Sequence, residues 1–454
     1  MPAPPRPSRG RPPAFSKQDE DLWKAYTKAL QTKFFSNLDS KNEIFYAAPI
    51  GMMGIPAGAN ISQEITNKGV YDIGDAVMQL DAPVFDAGSK KYSQRLQEVL
   101  GAARLGQNRD LGAEKRMNDI QTKLRRLNSE YTELSRRAIE SYVADEDKDN
   151  MPFGKWVPMN YPSFVAISNE KQSAAATEAS LRAQIAGPGA SQLNGQRQRL
   201  FSACELDKTN PDFNMPCAPS FGNIVNGSSD IPQQYTGFSR PTYTIENSYR
   251  DTVGNWIRDA GRENKLNLTF NINDAKSENW DKFGFVNVNA NSPFTYFFKA
   301  SYTQDHQMKE EYIMAQEVGS EVSVQLTAAQ AGVFTVKPGD WDVPNIMEEY
   351  RDFRPEIARE IGPAARVDQV ILAYKVVMKL SFQAKFAERI YDITQKAKDT
   401  GGSVSFFGLE VRFGGGSKDE VNISGSSIEI RKDLGYPVLL GAKGKKLPAP
   451  LTGR

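Results

Sequence analysis

An alternation of apolar and polar residues over positions 370–382 constrains the fold more than any other feature of the chain. The apolar positions, all even-numbered, are Val370, Leu372, Tyr374, Val376, Met378, Leu380 and Phe382. A period of two held over seven positions predicts a long β-strand with one buried face. Other apolar alternations in the sequence can cover that face, so we predict that this strand lies at the centre of a packed sheet.

The residues that follow change period. Apolar side chains recur at helical spacing until Gly401-Gly402 ends the segment, and they are Phe386, Ile390, Ile393 and Ala397. A second strand is predicted over 403–413, closed by the three glycines of 414–416. Because glycines stand at both ends of this second strand, we predict that it can hinge.

Length and composition indicate a soluble globular protein with two or more domains. The 454 residues are 39% hydrophobic and 24% charged, which is ordinary for such proteins. The formal net charge of +1 creates no overall field for nucleic acid, so no nucleic-acid partner is expected. No apolar run approaches the roughly 20 residues of a membrane span, and residues 1–15 lack the apolar core of a secretory signal. We therefore expect a cytoplasmic location, with non-classical export left open.

Few residues are available for metal binding or nucleophilic catalysis. The chain has one histidine, His306, and two cysteines, Cys204 and Cys217. We therefore predict no metal ligands, no cofactor and no catalytic residues. The sequence also lacks a glycine-rich phosphate loop that leads into a helix. Two cysteines suit a reducing compartment, and whether they pair is left open.

Residues 16–203 are predicted to form a mainly α-helical domain behind a disordered Pro/Arg-rich tail, residues 1–15. Its longest helix is expected at about 110–144, because apolar residues follow alternating steps of three and four. These residues are the candidate interaction positions Met117, Ile120, Leu124, Leu127, Tyr131 and Leu134. This heptad seam fits either a helix packed inside an antiparallel bundle or hairpin, or a coiled coil that self-associates. An alanine-rich helix over 162–186 is predicted to lie against it.

The rest of the chain is predicted to be mainly β-structure. A Pro/Gly-rich stretch over 204–242 reads as a linker. Alternating segments over 243–440 predict an antiparallel β domain with surface helices, and 441–454 is expected to be a basic tail. The predicted fold class is α+β, with an N-terminal helical bundle or hairpin domain followed by a β-sandwich-like domain.

One short cluster is a candidate for ligand binding. Asp340 and Asp342 flank Trp341, and two acids around an aromatic ring can serve a sugar or a cation. The preceding Pro338-Gly339 also predicts a plain turn with Trp341 packed inward. The sequence allows both interpretations.

Several motifs resemble those of an uncharacterised family of filamentous-fungal proteins. They are DEDLWKAYTKAL, SKNEIFYAAPIGMMGIPAG, NWIRDAG, WDKFGF, PGDW and GGSVSFFGLEVRFGGG, spread from about residue 19 to residue 416. The resemblance implies a common fold and a fungal setting. Because no activity is assigned to that family, the resemblance implies no cofactor and no site residue.

These observations favour a non-enzymatic interaction or structural protein, which self-associates through the heptad helix at 113–142 or binds a protein partner. The first alternative is a membrane-active, pore-forming type of protein that uses its amphipathic strands on a membrane. The second alternative is an enzyme of unrecognised class whose acid–base groups are scattered Asp, Glu, Tyr and Lys residues.

Overall fold

The protein has a mixed α+β fold, as the sequence predicts. The structure is a computed structural model, and it describes residues 16–447 apart from 50, 52, 81–83, 86–90, 104–110, 146–150, 187–189, 207–209, 226–227, 231–237, 260–264, 276–296, 305–306, 319–321, 345, 347–363 and 414–419. Every pairing between the strands named below is antiparallel.

The helices of the described residues are α1 (Lys17–Phe34), α2 (Gln63–Gly74), α3 (Tyr92–Ala102), α4 (Leu111–Ala144), α5 (Phe153–Asn160), α6 (Pro162–Ala186), α7 (Ala190–Ala203), α8 (Tyr249–Asp259), α9 (Ala315–Val318) and α10 (Ala384–Asp399). Helix α1 starts with a side-chain cap, since the Ser16 hydroxyl accepts a hydrogen bond from the Asp19 amide at 3.1 Å. The carboxylate of Asp19 accepts a bond from the Ser16 amide in return, which completes a capping box.

The strands are β1 (Glu43–Ala47), β2 (Val77–Gln79), β3 (Asn214–Cys217), β4 (Ile224–Val225), β5 (Ser228–Ser229), β6 (Phe238–Pro241), β7 (Tyr243–Ile245), β8 (Leu266–Asn271), β9 (Phe298–Gln304), β10 (Gln307–Ile313), β11 (Ser323–Pro338), β12 (Ala364–Ser381), β13 (Ser403–Phe406), β14 (Leu409–Arg412), β15 (Glu420–Ser424), β16 (Ser427–Lys432) and β17 (Val438–Lys446). Nine of them form one sheet with the order β1-β17-β12-β11-β7, in which β2 and β16 also pair with β12, β8 pairs with β11, and β15 pairs with β16. The predicted long strand is β12, and its central position is confirmed.

The nine-stranded sheet serves two separate hydrophobic cores. The first core packs α1, α10 and a second sheet of order β10-β9-β13-β14 against one part of it. The second core packs α2, α3, α7 and α8 against another part. Strand β12 contributes to both cores, so it links the two halves of the molecule.

The sequence predicts that the apolar alternation of β12 marks one buried face. In the structure, the alternating residues instead lie in two different cores. Val370, Leu372 and Tyr374 lie in the second core, whereas Val376 and the even positions after it lie in the first. The change falls at Lys375, whose φ of 53° is in the left-handed region. Strand β17 pairs with β12 before this residue and β16 pairs with it afterwards. Ile371 and Ala373, on the other face of the same stretch, are buried in the first core. Both faces of β12 are therefore buried before Lys375, and the face towards the first core passes from odd-numbered to even-numbered residues there.

The segment predicted as one strand over 403–413 is a hairpin of β13 and β14. Phe407 and Gly408 form its two-residue turn, with φ values of 48° and 89°. Positive φ at both turn positions suits a hairpin but is unusual for phenylalanine. The Phe407 ring is fully buried and stacks on Trp23 of α1 at a centroid distance of 4.6 Å. Its burial offsets the cost of the backbone conformation. The glycines at 414–416 lie outside the described residues.

The structure differs from the predicted division of the chain at residue 203. Strands β1 and β2, from the segment predicted to be helical, pair with β17 and β12 of the central sheet. Residues 441–446, predicted to be part of a tail, belong to β17. Gly441 explains this placement, because a Cβ there would lie 2.7 Å from the Phe45 ring and 2.9 Å from the Tyr46 carbonyl oxygen. The predicted linker contributes β3 to β6.

Substitution of Lys375 tests the left-handed backbone conformation at this position of β12. Lys375→Val places a β-branched residue at positive φ, so we expect the free energy of unfolding to fall by about 1–2 kcal/mol, although valine favours strands elsewhere. Lys375→Gly should stay within about 1 kcal/mol of the unchanged protein. Urea unfolding measures both changes.

Lys379→Val is the matched control, because Lys379 is exposed in the regular part of the same strand. We expect this substitution to change stability by less than about 0.5 kcal/mol. Equal stability of the two valine variants would contradict the change of face at Lys375.

Candidate functional site

Four helices, α3, α4, α6 and α7, surround a cavity of about 570 Å³. This volume lies within the range of sites that bind small organic molecules. Glu98, Arg125, Ala176 and Gln198 line the cavity and are exposed, so they mark its mouth. The buried lining residues mark its floor, and they are Leu100, Glu178 and Leu200.

The cavity follows from how the helices pack. Helices α4 and α6 run along each other, as the heptad seam and the alanine-rich pattern predict. Small residues of α6, Ala175 and Ala179, face the cavity where longer side chains would fill it. On the opposite wall, Leu100 of α3 and Leu200 of α7 belong to the second core. The sheet therefore fixes one wall, and the α4–α6 pair supplies the other.

A buried ion cluster forms part of the floor. The Glu178 carboxylate lies 3.0 Å from Arg182 Nη2 and 2.6 Å from Arg197 Nη2. Burial raises the pKa of Glu178, but the two guanidinium groups outweigh it and hold that pKa below its ordinary value. Glu178 is therefore ionised and fully paired at neutral pH.

The same cluster ties α6 to the end of α3. Arg182 Nη1 donates to the Ala103 carbonyl oxygen at 2.8 Å, and Arg182 Nη2 donates to the carbonyl oxygen of Gly101. Gln121 of α4 also donates to the Gly101 oxygen, at 2.7 Å. Carbonyl groups at the end of a helix have no partner within the helix, so these bonds satisfy them. With Arg197 of α7, which pairs with Glu178, one network connects all four helices around the cavity.

Lys171 of α6 presents a second cation to the cavity. Its ammonium nitrogen lies 4.3 Å from the centroid of the Tyr131 ring and 5.7 Å from that of Phe201. Within the described part of the chain, no carboxylate oxygen lies within 4 Å of this nitrogen. Burial lowers the pKa of Lys171. The aromatic faces stabilise the ammonium group only in part.

Amide side chains complete the polar part of the lining. The side-chain oxygens of Asn128 and Asn194 are buried and have no hydrogen-bond partner among the described residues. The Asn194 amide nitrogen donates to the Ala179 carbonyl oxygen at 3.3 Å. Unsatisfied buried polar atoms are uncommon in proteins and call for an explanation. Both residues belong to the lining, but these oxygen atoms themselves are enclosed by protein.

The candidate interaction residues of α4 lie mostly inside the chain. Met117, Leu127 and Tyr131 are buried, and the Tyr131 ring stacks on Phe164 of α6 at 5.0 Å. Ile120 and Leu134 are half-buried. Leu124 is also half-buried, and it lines the cavity. The heptad seam is thus occupied by the chain's own helices.

The structure does not bring Asp340, Trp341 and Asp342 together around a ligand-sized space. Trp341 is fully buried, and its indole nitrogen donates to the Thr242 carbonyl oxygen at 2.8 Å. Asp342 accepts a hydrogen bond from the Tyr92 hydroxyl and one from Arg366, both at 2.7 Å. Asp340 is exposed. The geometry is that of a packed turn, in which Trp341 is buried and Asp342 is held by Tyr92 and Arg366.

Other sequence candidates find no site in the described residues. Both cysteines are free thiols, and burial raises the pKa of each to about 12. His306 lies outside the described residues. No group of three or more His, Cys, Asp and Glu side chains in the described ranges could hold a metal ion. None of the described helices is both long enough and apolar enough to cross a bilayer.

The chain matches no protein-family model, no curated protein and no solved structure. The resemblance to a filamentous-fungal family therefore stays a prediction. The function has to be argued from the cavity itself.

The floor cluster generates a stability prediction. Glu178→Gln leaves two buried guanidinium groups without a counter-charge, so we expect the free energy of unfolding at pH 7 to fall by about 3 kcal/mol. The folded-state pKa of Glu178 lies below its ordinary value of 4.5. Its stabilisation is therefore present above pH 4.5 and is lost as the pH falls through the folded-state pKa. Urea unfolding at several pH values should show the two proteins converging in acid.

Glu170→Gln is the control, because Glu170 pairs with Lys123 on the exposed surface of the same helix pair. We expect this variant to resemble the unchanged protein at every pH. A Glu178→Gln variant with native stability at pH 7 would contradict the buried cluster.

Proposed function

We propose that this protein is a non-enzymatic binding protein that holds a small organic molecule in the cavity between α3, α4, α6 and α7. The observation that carries the proposal is the cavity itself, about 570 Å³ in volume and lined by side chains of all four helices. Binding sites for small molecules combine mostly apolar walls with a few fixed polar groups. Leucines and alanines provide the walls here, and amides and cations provide the polar groups.

The electrostatics of the floor favour binding over catalysis. A carboxylate acts as a general base only if it can accept a proton near neutral pH. The Glu178 carboxylate is instead paired with Arg182 and Arg197, which lower its pKa. Such a group positions the helices around the cavity and is poorly suited to proton transfer.

The packing of the heptad seam within the chain argues against the sequence-based hypothesis that the seam mediates self-association. Because Met117, Leu127 and Tyr131 pack within the chain, a second copy could use the seam only if α6 left α4. We therefore propose that the partner of this helical region is a small molecule that contacts Leu124 from inside the cavity.

A cavity-filling substitution tests the proposal. Ala179→Phe places a ring in the cavity, so we expect the protein to lose binding of N-phenylnaphthylamine, a neutral apolar dye that fluoresces when it is removed from water. The unchanged protein should bind the dye with saturation, and the variant should bind it at least about tenfold more weakly. Fluorescence titration measures both affinities.

Ala166→Phe is the matched control, since Ala166 is exposed on the same helix and does not line the cavity. It should bind the dye like the unchanged protein. Thermal unfolding confirms that both variants fold. Equal binding by the folded Ala179→Phe variant would overturn the proposal.

A further inference from the structure

The charges that line the cavity point to the class of its ligand. We infer that the ligand is an organic anion with an apolar body, and that the ammonium group of Lys171 anchors its negative group. This inference rests on the proposed function of the cavity and adds a chemical class to it.

The lining carries more positive than negative charge. Its cations are Arg125, Lys171 and Arg197, and its carboxylates are Glu98 and Glu178. A fourth cation, Arg182, lies behind Glu178 and pairs with it. Glu178 is paired with two guanidinium groups and Glu98 is exposed at the mouth. Among the residues that line the cavity, no carboxylate is therefore left to pair with Lys171.

Lys171 is placed to receive an anion. Its ammonium group is held over Tyr131 by the ring face and has no carboxylate within 4 Å in the described ranges. The nearby acid Glu205 does not line the cavity and lies more than 4 Å from the ammonium nitrogen, and its Oε1 accepts a hydrogen bond from the Gln172 amide nitrogen at 2.8 Å. Its negative charge raises the pKa of Lys171 and so helps to keep the ammonium group protonated. An anion that enters the cavity would form a charge-assisted hydrogen bond with the ammonium group. A lysine acts as a compact point charge, so it suits one carboxylate or sulfonate oxygen.

The remaining walls favour a ligand whose bulk is apolar. Leu100, Leu124, Leu200 and Phe201 line the cavity together with three alanines of α6. A compact, strongly hydrated anion would leave these surfaces in contact with water. An aromatic or aliphatic acid would cover them and still reach Lys171 with its charged end.

Two dyes with the same aromatic body, one neutral and one anionic, separate the effect of charge on binding from the effect of the apolar walls. Anilinonaphthalene sulfonate carries the aromatic body of N-phenylnaphthylamine plus one sulfonate group. We expect the unchanged protein to bind the anionic dye at least about tenfold more tightly than the neutral dye, because a hydrogen bond to a charged group accounts for about that factor. Fluorescence titration with each dye gives this ratio without any substitution.

Substitution of Lys171 then assigns the preference to one residue. Lys171→Met keeps the length and apolar stem of the side chain, so it should lose the preference for the sulfonate and keep the affinity for the neutral dye. Lys171→Arg should retain the preference. Lys123→Met, which removes an exposed lysine that pairs with Glu170, should change neither affinity.

The outcomes distinguish the two proposals. If the unchanged protein binds both dyes with equal affinity, or if Lys171→Met loses affinity for both dyes equally, the inference of an anionic ligand is wrong. The cavity then remains a proposed site for neutral ligands. If Ala179→Phe binds both dyes like the unchanged protein, the dyes bind elsewhere, and both proposals fail. The comparison of the two dyes on the unchanged protein decides whether the cavity prefers an anion even if Lys171→Met does not fold.

Discussion

The switch of the even-numbered residues of β12 from one core to the other is the constraint on which the rest of the structure depends. A strand with regular alternation can supply only one core with its apolar side chains if its other face is polar. Lys375, in the left-handed region, divides β12 into two parts whose even-numbered residues serve different cores. Strand β11 changes in the same place, since Leu326 and Ala328 lie in the first core and Phe334 and Val336 in the second. One sheet can therefore support helices on two different sides.

This arrangement also positions the cavity. Helices α3 and α7 are anchored in the second core through Leu96, Leu100, Leu193 and Leu200. Two of these leucines, Leu100 and Leu200, also line the cavity. The α4–α6 pair has its own aromatic cluster around Phe153 and Phe164, so it approaches the sheet as a separate layer. The cavity lies between a wall that the sheet fixes and a wall that the ion cluster of Glu178 holds in place.

Local patterns predict the elements of this fold better than their faces and partners. The capped start of α1, the seam of α4 and the length of β12 all follow from spacing and helix-capping chemistry. Nothing in the sequence signals that the even-numbered residues pass from one core to the other at Lys375, because a lysine between Tyr374 and Val376 continues the alternation. Phe407 likewise gives no sign of a turn, since it occupies an unfavourable backbone conformation that its burial against the rings of Trp23, Tyr26 and Phe270 offsets. The cavity could not be predicted, because Lys171 and Tyr131 meet only when α4 and α6 pack. Its one local signal is the run of alanines in α6.

The pairing of β1 with β17 has a consequence for how the protein is made. The Glu43 carboxylate meets the Lys443 ammonium group at 2.7 Å, although the two residues are 400 positions apart in the sequence. During synthesis, β1 leaves the ribosome long before the strand that pairs with it exists. The backbone groups of its apolar residues Ile44, Phe45 and Tyr46 must stay without their native strand partner until about 400 further residues have been translated. Folding is therefore expected to be late and dominated by distant contacts, which slow the reaction and prolong the exposure of an unpaired strand edge.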